Sequence, residues 1–286
     1  MIHKTLLAPL GGRGMTLFSA REVSYAVRPA GAGEGIRFRR VDLDDKPEIP
    51  ATIGHLSTRP VHPAFENLPP RCTTLERDGV CVALVEHVLS ALAGLGVTDA
   101  TIEIAGDEMP IFDGSASPFV IQMNAVGLRD LDEQTNPIEV HETIRVEAGG
   151  AWIEASPSEN DPPSFAYELD FGPNPAIQAQ SASMQLGENY AREVAPARTF
   201  CLEHEARAMR SAGLFAHLTP GELLVLGPLG PIDNALRYDN EPARHKLLDL
   251  IGDLALVGKP IAGHVRAHGS GHALNHALAR RLIALG

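Results

Sequence analysis

The feature that most limits the fold is an order of elements that occurs in both halves of the chain. In the first half, a predicted helix over 81–96 ("CVALVEHVLSALAGLG") is followed by the strand "DATIEIAG", a turn with Gly-Ser and the helix "SPFVIQMNAVGL". In the second half, a predicted helix over 241–258 is followed by the strand "PIAGHVRAHG", the turn "GSGH" and a terminal helix. Internal repetition of this kind indicates a duplicated unit.

Two such units predict an α+β fold, in which the apolar faces of four helices are buried against each other and against their sheets. We expect a first domain over 1–128, a linker over 129–139 and a second domain over 140–286. The linker is placed at "RDLDEQTNPIE" because this segment is polar and contains proline. A cleft between the two units is then the natural place for a functional site.

The composition narrows the class of protein further. The apolar runs fall well short of the ~18 residues that a membrane span needs. A formal net charge of −12 opposes nucleic-acid binding, because nucleic-acid-binding proteins present basic stripes. The first residues lack the apolar core of a signal peptide, so we expect a cytoplasmic protein. Three cysteines without a CxxC spacing predict neither a disulfide framework nor a thiolate zinc site.

The predicted helix "EPARHKLLDLIGDLALVG" carries His245, Asp249 and Asp253 at intervals of four residues, which places them on one face. Leucine and isoleucine flank this stripe, and a buried carboxylate is costly unless it is paired or binds a metal. His and Asp at this spacing can share a cation. The alternative is a polar face in solvent, which is the commoner role of a single His or Asp.

The first-half helix offers a third ligand, His87, with Glu86 beside it. Three protein ligands and an open position for water are typical of catalytic zinc sites. A carboxylate next to a ligand is well placed to act as the general base for a metal-activated water. The alternative for this common dipeptide is a salt-bridged Glu and a surface His.

Histidines recur every four residues at His264, His268, His272 and His276, a pattern that could indicate a metal cluster. The predicted strand and loop cannot keep all four on one face, and only the last two would share a side of a helix. A single His in the "HGSGH" loop suits proton transfer, because its ordinary pKa lies near neutrality. We expect His272 in this role, with Asp253 orienting its imidazole.

Two further stretches carry polar or aromatic groups. In "ARTF", the hydroxyl of Thr199 stands beside the aromatic Phe200, and the commoner explanation for such a pair is a strand edge. Lys246 points about 100° away from His245 around the helix, toward either a phosphate or solvent. The N-terminal "GGRG" lacks the helix that opens after a phosphate-binding loop, so we interpret it as a turn.

Taken together, "VEHVLSALAGLGV", "MPIFDGSASPFV", "ARTF", "ARHKLLDLIGDLALVG" and "SGHALN" closely resemble the zinc-dependent UDP-3-O-acyl-N-acetylglucosamine deacetylases of lipid A synthesis. The likeness spans nearly the whole chain, and three of these segments carry its strongest signal: the Glu-His pair, the RHKxLDxxGD helix and the SGHxLN loop. It implies two α+β domains of similar topology, with the sheets outside and the helices sandwiched between them. It also implies an insert over roughly 200–228 that forms an apolar passage for the acyl chain.

The resemblance implies the following zinc ligands: His87, His245 and Asp249. Glu86 corresponds to the general base, and His272 corresponds to the general acid with Asp253 as its acidic partner. Thr199 matches the hydroxyl that stabilises the oxyanion, and Lys246 and Phe200 match positions that face the nucleotide-sugar. The implied reaction is hydrolysis of the N-acetyl group, an early committed step of lipid A synthesis. Ferrous iron would suit the same ligands as zinc.

This chain departs from the family pattern at a few positions. Phe18 in "GMTLFSA" stands where the family has a histidine, Leu84 stands where threonine is usual, and the segment 223–244 is shorter than in many members. Two alternatives therefore stay open: a zinc amidohydrolase acting on another N-acetylated nucleotide-sugar, and a non-catalytic paralogue that binds a sugar-nucleotide or lipid. We expect the protein to be a monomer. Because the implied substrate has a lipid tail, we also expect the protein to act near the membrane surface.

Overall fold

The computed structural model describes residues 1–158, 161–173, 176–185, 189–221 and 223–285. Its α-helices are α1 (Glu86–Gly94), α2 (Ser117–Val126), α3 (Tyr190–Glu193), α4 (Glu203–Ser211), α5 (Glu241–Leu254) and α6 (His272–Ile283). Its strands are β1 (Ile2–Leu6), β2 (Leu10–Met15), β3 (Glu22–Pro29), β4 (Ile36–Arg40), β5 (Glu48–Pro50), β6 (Leu75–Arg77), β7 (Val80–Val82), β8 (Ala100–Ile104), β9 (Leu128–Gln134), β10 (Ile138–Glu139), β11 (Ile144–Ala148), β12 (Ala151–Ser156), β13 (Ser164–Leu169), β14 (Gln180–Gln185), β15 (Phe200–Leu202), β16 (Leu224–Gly227), β17 (Gly230–Pro231), β18 (Ile261–Ala262) and β19 (His264–His268).

Two five-stranded sheets have the same strand order. The first runs β2-β3-β8-β4-β5 and the second runs β11-β12-β19-β13-β14. In each sheet the strand that comes last in the sequence, β8 or β19, lies in the centre, antiparallel to one neighbour and parallel to the other. The α+β prediction is confirmed, and the matching topology is consistent with a duplicated unit.

The helices connect the two sheets. Helix α2 packs on β2, whereas α5 contacts β13 and β14 and α6 contacts β11 and β12. Helix α1 packs against α5, so the two halves meet through this helix pair. Each sheet contributes buried apolar side chains that lie side by side on neighbouring strands. In the first sheet, Ile102 on β8 pairs with Val27 on β3 and with Phe38 on β4, and all three are buried. One apolar core therefore runs through both halves.

The segment predicted as a linker consists largely of strands. Strand β9 pairs antiparallel with β1, and β10 pairs parallel with β18. The polar composition of 129–139 reflects the exposure of β9 at a two-stranded edge rather than irregular backbone. The proposed domain limits remain a prediction.

Helix α5 packs directly on the five-stranded sheet of the second half, and the same half carries a separate insert. The insert consists of α4 and a three-stranded sheet of order β15-β16-β17, which covers most of the segment expected to hold an acyl passage. Within the described ranges, every helix falls short of the length and apolar character that a bilayer crossing requires.

Candidate active site

Three predicted ligands converge where α1 faces α5. The Oδ1 atom of Asp249 lies 3.3 Å from His245 Nε2 and 3.9 Å from His87 Nε2, and one donor atom from each residue falls within 4.8 Å of the others. All three side chains are buried. Two imidazoles and a carboxylate are a donor set that binds zinc or another divalent metal with a position left open. The three residues could therefore hold a metal ion.

The surroundings orient these donors. His245 Nδ1 donates to the backbone carbonyl of Ala197 at 3.1 Å, which leaves the lone pair of Nε2 facing Asp249. Lys246 Nζ donates to the other carboxylate oxygen of Asp249 at 2.9 Å. His87 Nδ1 is buried without a hydrogen-bond partner among the described residues.

The protonation states of the three residues suit metal binding. Burial, together with the nearby His245, lowers the pKa of His87 to about 3. Burial also lowers the pKa of His245. For Asp249, burial would raise the pKa, but His245 and Lys246 outweigh it and hold the pKa well below its usual range. Neutral imidazoles and an ionised carboxylate are the forms that bind a metal.

Glu86 begins α1 one residue before His87, and it lines the same cavity as the three donors. It is buried, and its Oε2 accepts a hydrogen bond from the backbone N–H of Thr73 at 3.0 Å. Burial raises the pKa of Glu86 to about 8, and the carboxylates of Asp253 and Asp249 add to this effect. A carboxyl group with a pKa near neutrality can exchange protons at physiological pH.

His272 begins α6 and is hydrogen-bonded to Asp253, whose Oδ2 lies 2.8 Å from His272 Nδ1. Asn275 Nδ2 donates to the same oxygen at 2.9 Å, and the hydroxyl of Thr73 donates to Oδ1. Burial would lower the pKa of His272, but the charge of Asp253 outweighs it and raises the pKa to about 9. His272 is therefore an imidazolium at neutral pH and can act as an acid.

Thr199, Phe200 and Lys246 lie on the other wall of the site. The backbone N–H of Thr199 donates to Gly114 at 2.7 Å, so this residue bridges the two halves. The Phe200 ring lies 6.3 Å from that of His245, and Lys246 Nζ lies 5.7 Å above the Phe200 ring. Lys246 thus contacts both Asp249 and an aromatic face instead of extending into solvent.

One cavity of about 200 Å³ collects nearly all of the predicted site residues. Those that line it are Glu86, His87, Thr199, Phe200, His245, Lys246, Asp249 and His272. Asp253 is fully buried and contacts the cavity only through His272. The cleft between the two halves is therefore the place where the predicted residues meet.

Some residues of the site were not predicted from the sequence. Thr73 contacts both Glu86 and Asp253, and His276 Nε2 lies 2.9 Å from the Thr73 hydroxyl. The sequence predicts only that His276 shares a side of a helix with His272, and their rings stack with centroids 6.2 Å apart. Nothing in the local sequence around Thr73 indicates its role, because both of its partners lie on other elements.

A buried ion pair between Arg198 and Glu241 joins the segment that carries Thr199 to helix α5. Arg198 donates to both carboxylate oxygens of Glu241, at 2.8 and 3.0 Å, and also to Asn234. Glu241 is the first residue of α5, one turn before His245. The segment that carries Thr199 is therefore held in place relative to α5.

The cleft holds a His-His-Asp donor set, a buried carboxyl group and an imidazolium. These groups together are typical of a metal-dependent hydrolase. Residues 3–284 match the family model "LpxC: UDP-3-O-acyl N-acetylglycosamine deacetylase". The chain belongs to this family.

Individual relatives agree with this assignment. A protein of Trichormus variabilis named UDP-3-O-acyl-N-acetylglucosamine deacetylase is 38% identical over 291 residues, which cover 100% of this chain and 99% of the relative. Proteins of the same name from Xylella fastidiosa and Myxococcus xanthus are 36% and 34% identical, each over 99% of this chain and over 90% and 86% of their own lengths.

Proposed function

We propose that this protein hydrolyses the N-acetyl group of UDP-3-O-acyl-N-acetylglucosamine to give acetate and UDP-3-O-acyl-glucosamine, an early committed step of lipid A synthesis. The observation that carries the proposal is the convergence of a His-His-Asp set with Glu86 and His272 in one cavity. Similarity to deacetylases along the whole chain supports the same substrate.

Zinc is the metal we propose, and ferrous iron also suits two imidazoles and a carboxylate. His87, His245 and Asp249 would hold it, since each presents a donor atom to a common point. When bound there, such an ion supplies Lewis acidity and a water of lowered pKa.

The protein's own groups would move the protons. Glu86, in its ionised form, accepts a proton from the attacking water, because its carboxyl group lines the same cavity as the donors. The positive charge of a bound ion would favour that form, and burial, which raises the pKa of Glu86 to about 8, lets the carboxyl group hold the proton once it has accepted it. His272 donates a proton to the departing amine nitrogen, since Asp253 keeps it cationic at neutral pH. The hydroxyl of Thr199 donates to the oxyanion that forms at the acetyl carbonyl.

The remaining predicted residues would bind the substrate. Lys246 offers a cation and Phe200 offers an aromatic face toward the nucleotide-sugar. The acyl chain would lie on the side of the insert that faces the active-site cavity, because the apolar side chains of Met209 and Leu223 line the cavity there. We further propose that the enzyme acts as a monomer in the cytoplasm, and near the membrane surface because its substrate carries a lipid tail.

A second candidate is a metal-dependent amidohydrolase acting on a different N-acetylated nucleotide-sugar. Phe18 favours it, since an aromatic ring lies in the cavity where the resemblance implies a histidine. Turnover measured with and without the 3-O-acyl group distinguishes the two. A clear preference for the acylated sugar excludes the second candidate.

The test of the proposed function is a mass-spectrometric time course with purified, zinc-loaded protein and UDP-3-O-acyl-N-acetylglucosamine. We expect the loss of one acetyl group, and we expect a chelator to stop the reaction. Survival of the substrate in the presence of fully loaded protein would show that the proposed reaction is wrong.

The role of the base is tested by Glu86→Ala. We expect this variant to keep its metal, measured by elemental analysis, and to lose about 10²-fold or more in turnover. The exposed Glu142 provides the matched control, because Glu142→Ala removes the same group far from the cavity lining. Full activity of Glu86→Ala would exclude the proposed role.

A further inference from the structure

Three phenylalanines from separate segments meet in the active-site cavity. Phe18 lies in the turn after β2, Phe65 ends the short helical turn Pro63–Phe65, and Phe215 follows α4. The Phe18 ring lies 5.7 Å from the rings of both Phe65 and Phe215. All three line the cavity that holds the predicted site residues. We call this group the aromatic cluster.

A second cavity lies on the other side of Phe215. It has a volume of about 260 Å³ and is enclosed by α4, β16 and the loops that join them. Ala206, Phe215 and Leu223 line both cavities, so they form the wall between them. Of these three, Phe215 has the largest side chain, and it is the one that belongs to the aromatic cluster, through its contact with Phe18.

The second cavity is suited to an apolar occupant. Leu218, Pro220, Val225 and Ile232 contribute to its lining. The two arginines of its lining have partners in the same lining: Arg207 pairs with Glu203, and Arg210 donates to the carbonyl of Leu218. An alkyl chain is the part of an acylated nucleotide-sugar that matches such a lining.

The backbone shows that Phe215 is held in its position by its surroundings. Its φ angle is +60°, in the left-handed region that bulky residues rarely adopt. Such a conformation persists only where packing over-determines it, and residues of this kind cluster at ligand-binding sites. Contact with Phe18 on one side and the insert on the other supplies that packing.

We propose that Phe215 closes the active-site cavity against the second cavity and thereby limits the length of acyl chain that the enzyme accepts. This inference depends on the proposed function, because it assumes an acylated substrate. A chain that reaches Phe215 gains nothing from further methylenes. With the wall removed, each methylene that enters the second cavity should raise kcat/KM by about fourfold.

The experiment compares kcat/KM for UDP-sugars with decanoyl, dodecanoyl, tetradecanoyl and hexadecanoyl chains in the zinc-loaded full chain. The main variant is Phe215→Gly, because glycine adopts a positive φ without strain. We expect the ratio of kcat/KM for the longest to the shortest substrate to rise at least tenfold over that of the unmodified protein. Phe171→Ala removes an exposed phenylalanine that lines neither cavity and should keep the original ratio.

A second substitution keeps the inference testable. Val225 lines only the second cavity, so Val225→Phe should fill that cavity without changing the active-site cavity. Combined with Phe215→Gly, Val225→Phe should abolish the increase in kcat/KM for long-chain substrates. As a single substitution, it should leave the dependence of kcat/KM on chain length unchanged. If Phe215→Gly is poorly folded, Phe215→Ala replaces it, both as a single substitution and in combination with Val225→Phe.

The outcomes separate this inference from the proposed function. Loss of acetyl from no substrate would refute the proposed function itself. Deacetylation with the same length profile in the unmodified protein and in Phe215→Gly would overturn the role of Phe215. A shortened profile in Val225→Phe alone would also overturn it, because the second cavity would then already be open to the substrate.

Discussion

The contact between α1 and α5 depends on one glycine. Gly252 lies in α5 between Asp249 and Asp253, and a Cβ atom added there would lie 2.1 Å from the carbonyl oxygen of Glu86. The carbonyl carbon and the Cα of Glu86 would follow at 2.9 and 3.1 Å. We predict that Gly252→Ala separates the two helices and thereby separates Glu86 and His87 from the residues on α5.

The expected size of the effect follows from these distances. The added Cβ must move about 1.2 Å from its 2.1 Å position to reach the ~3.3 Å of an ordinary carbon–oxygen contact, and no side chain can rotate away because the obstacle is backbone. Alanine gains about 1 kcal/mol over glycine in a helix, whereas overpacking costs about 1–3 kcal/mol. The net loss of stability is therefore about 1 kcal/mol. A displacement of about 1 Å in a catalytic site can cost ~10² in rate.

The assay measures three quantities on the same sample: kcat/KM, metal content and the midpoint of thermal unfolding. We expect the first to fall by ~10² or more and the midpoint to fall by only a few degrees. Gly54→Ala is the control, because a Cβ there would meet only the hydroxyl of Thr52, at 4.0 Å. Activity of Gly252→Ala within twofold of the unmodified protein would refute the close approach of the two helices.

Three further predictions concern the proposed chemistry. Asp253→Asn removes the charge that raises the pKa of His272 to about 9. Because the acid form of His272 is needed and is lost as pH rises through its pKa, the alkaline limb of the kcat/KM profile should move to lower pH; an unmoved limb would contradict this assignment. Thr199→Val should reduce kcat by about 10²–10³ with little change in KM, as for other oxyanion donors, and a change confined to KM would contradict the role. Removal of the metal by a chelator should lower the midpoint of thermal unfolding, because a ligand of the folded state stabilises it by mass action; the same midpoint with and without metal would argue against binding at His87, His245 and Asp249.

The sequence predicted those parts of the site whose spacing lies within one helix. His245 and Asp249 are four residues apart in an otherwise apolar helix, and the structure brings their donor atoms together with that of His87. The repeated order of elements predicted two similar units, and the two central sheets share one strand order. The spacing of polar and apolar residues within one element is a local property, so it can be recognised without knowledge of the fold.

Features that depend on contacts between distant segments could not be predicted. Thr73 acquires its role because its backbone and hydroxyl face Glu86 and Asp253, the second of which is 180 residues away. The carbonyl of Ala197 that orients His245 has no sequence signature at all. Strand β9 was obscured by its charged composition, since exposure at a two-stranded edge removes the alternation that marks a half-buried strand.

The chemical difference between the histidines of the site arises from their carboxylate neighbours rather than from burial. His87 and His272 are both buried, yet the pKa of one is lowered to about 3 and that of the other is raised to about 9. Asp249, which faces His87, shares its charge with Lys246 and with a second imidazole. Asp253 accepts hydrogen bonds on both oxygens and directs its charge to His272 at 2.8 Å. Burial and the neighbouring His245 thus keep His87 neutral for a metal, whereas Asp253, one helical turn beyond Asp249, keeps His272 cationic for proton donation.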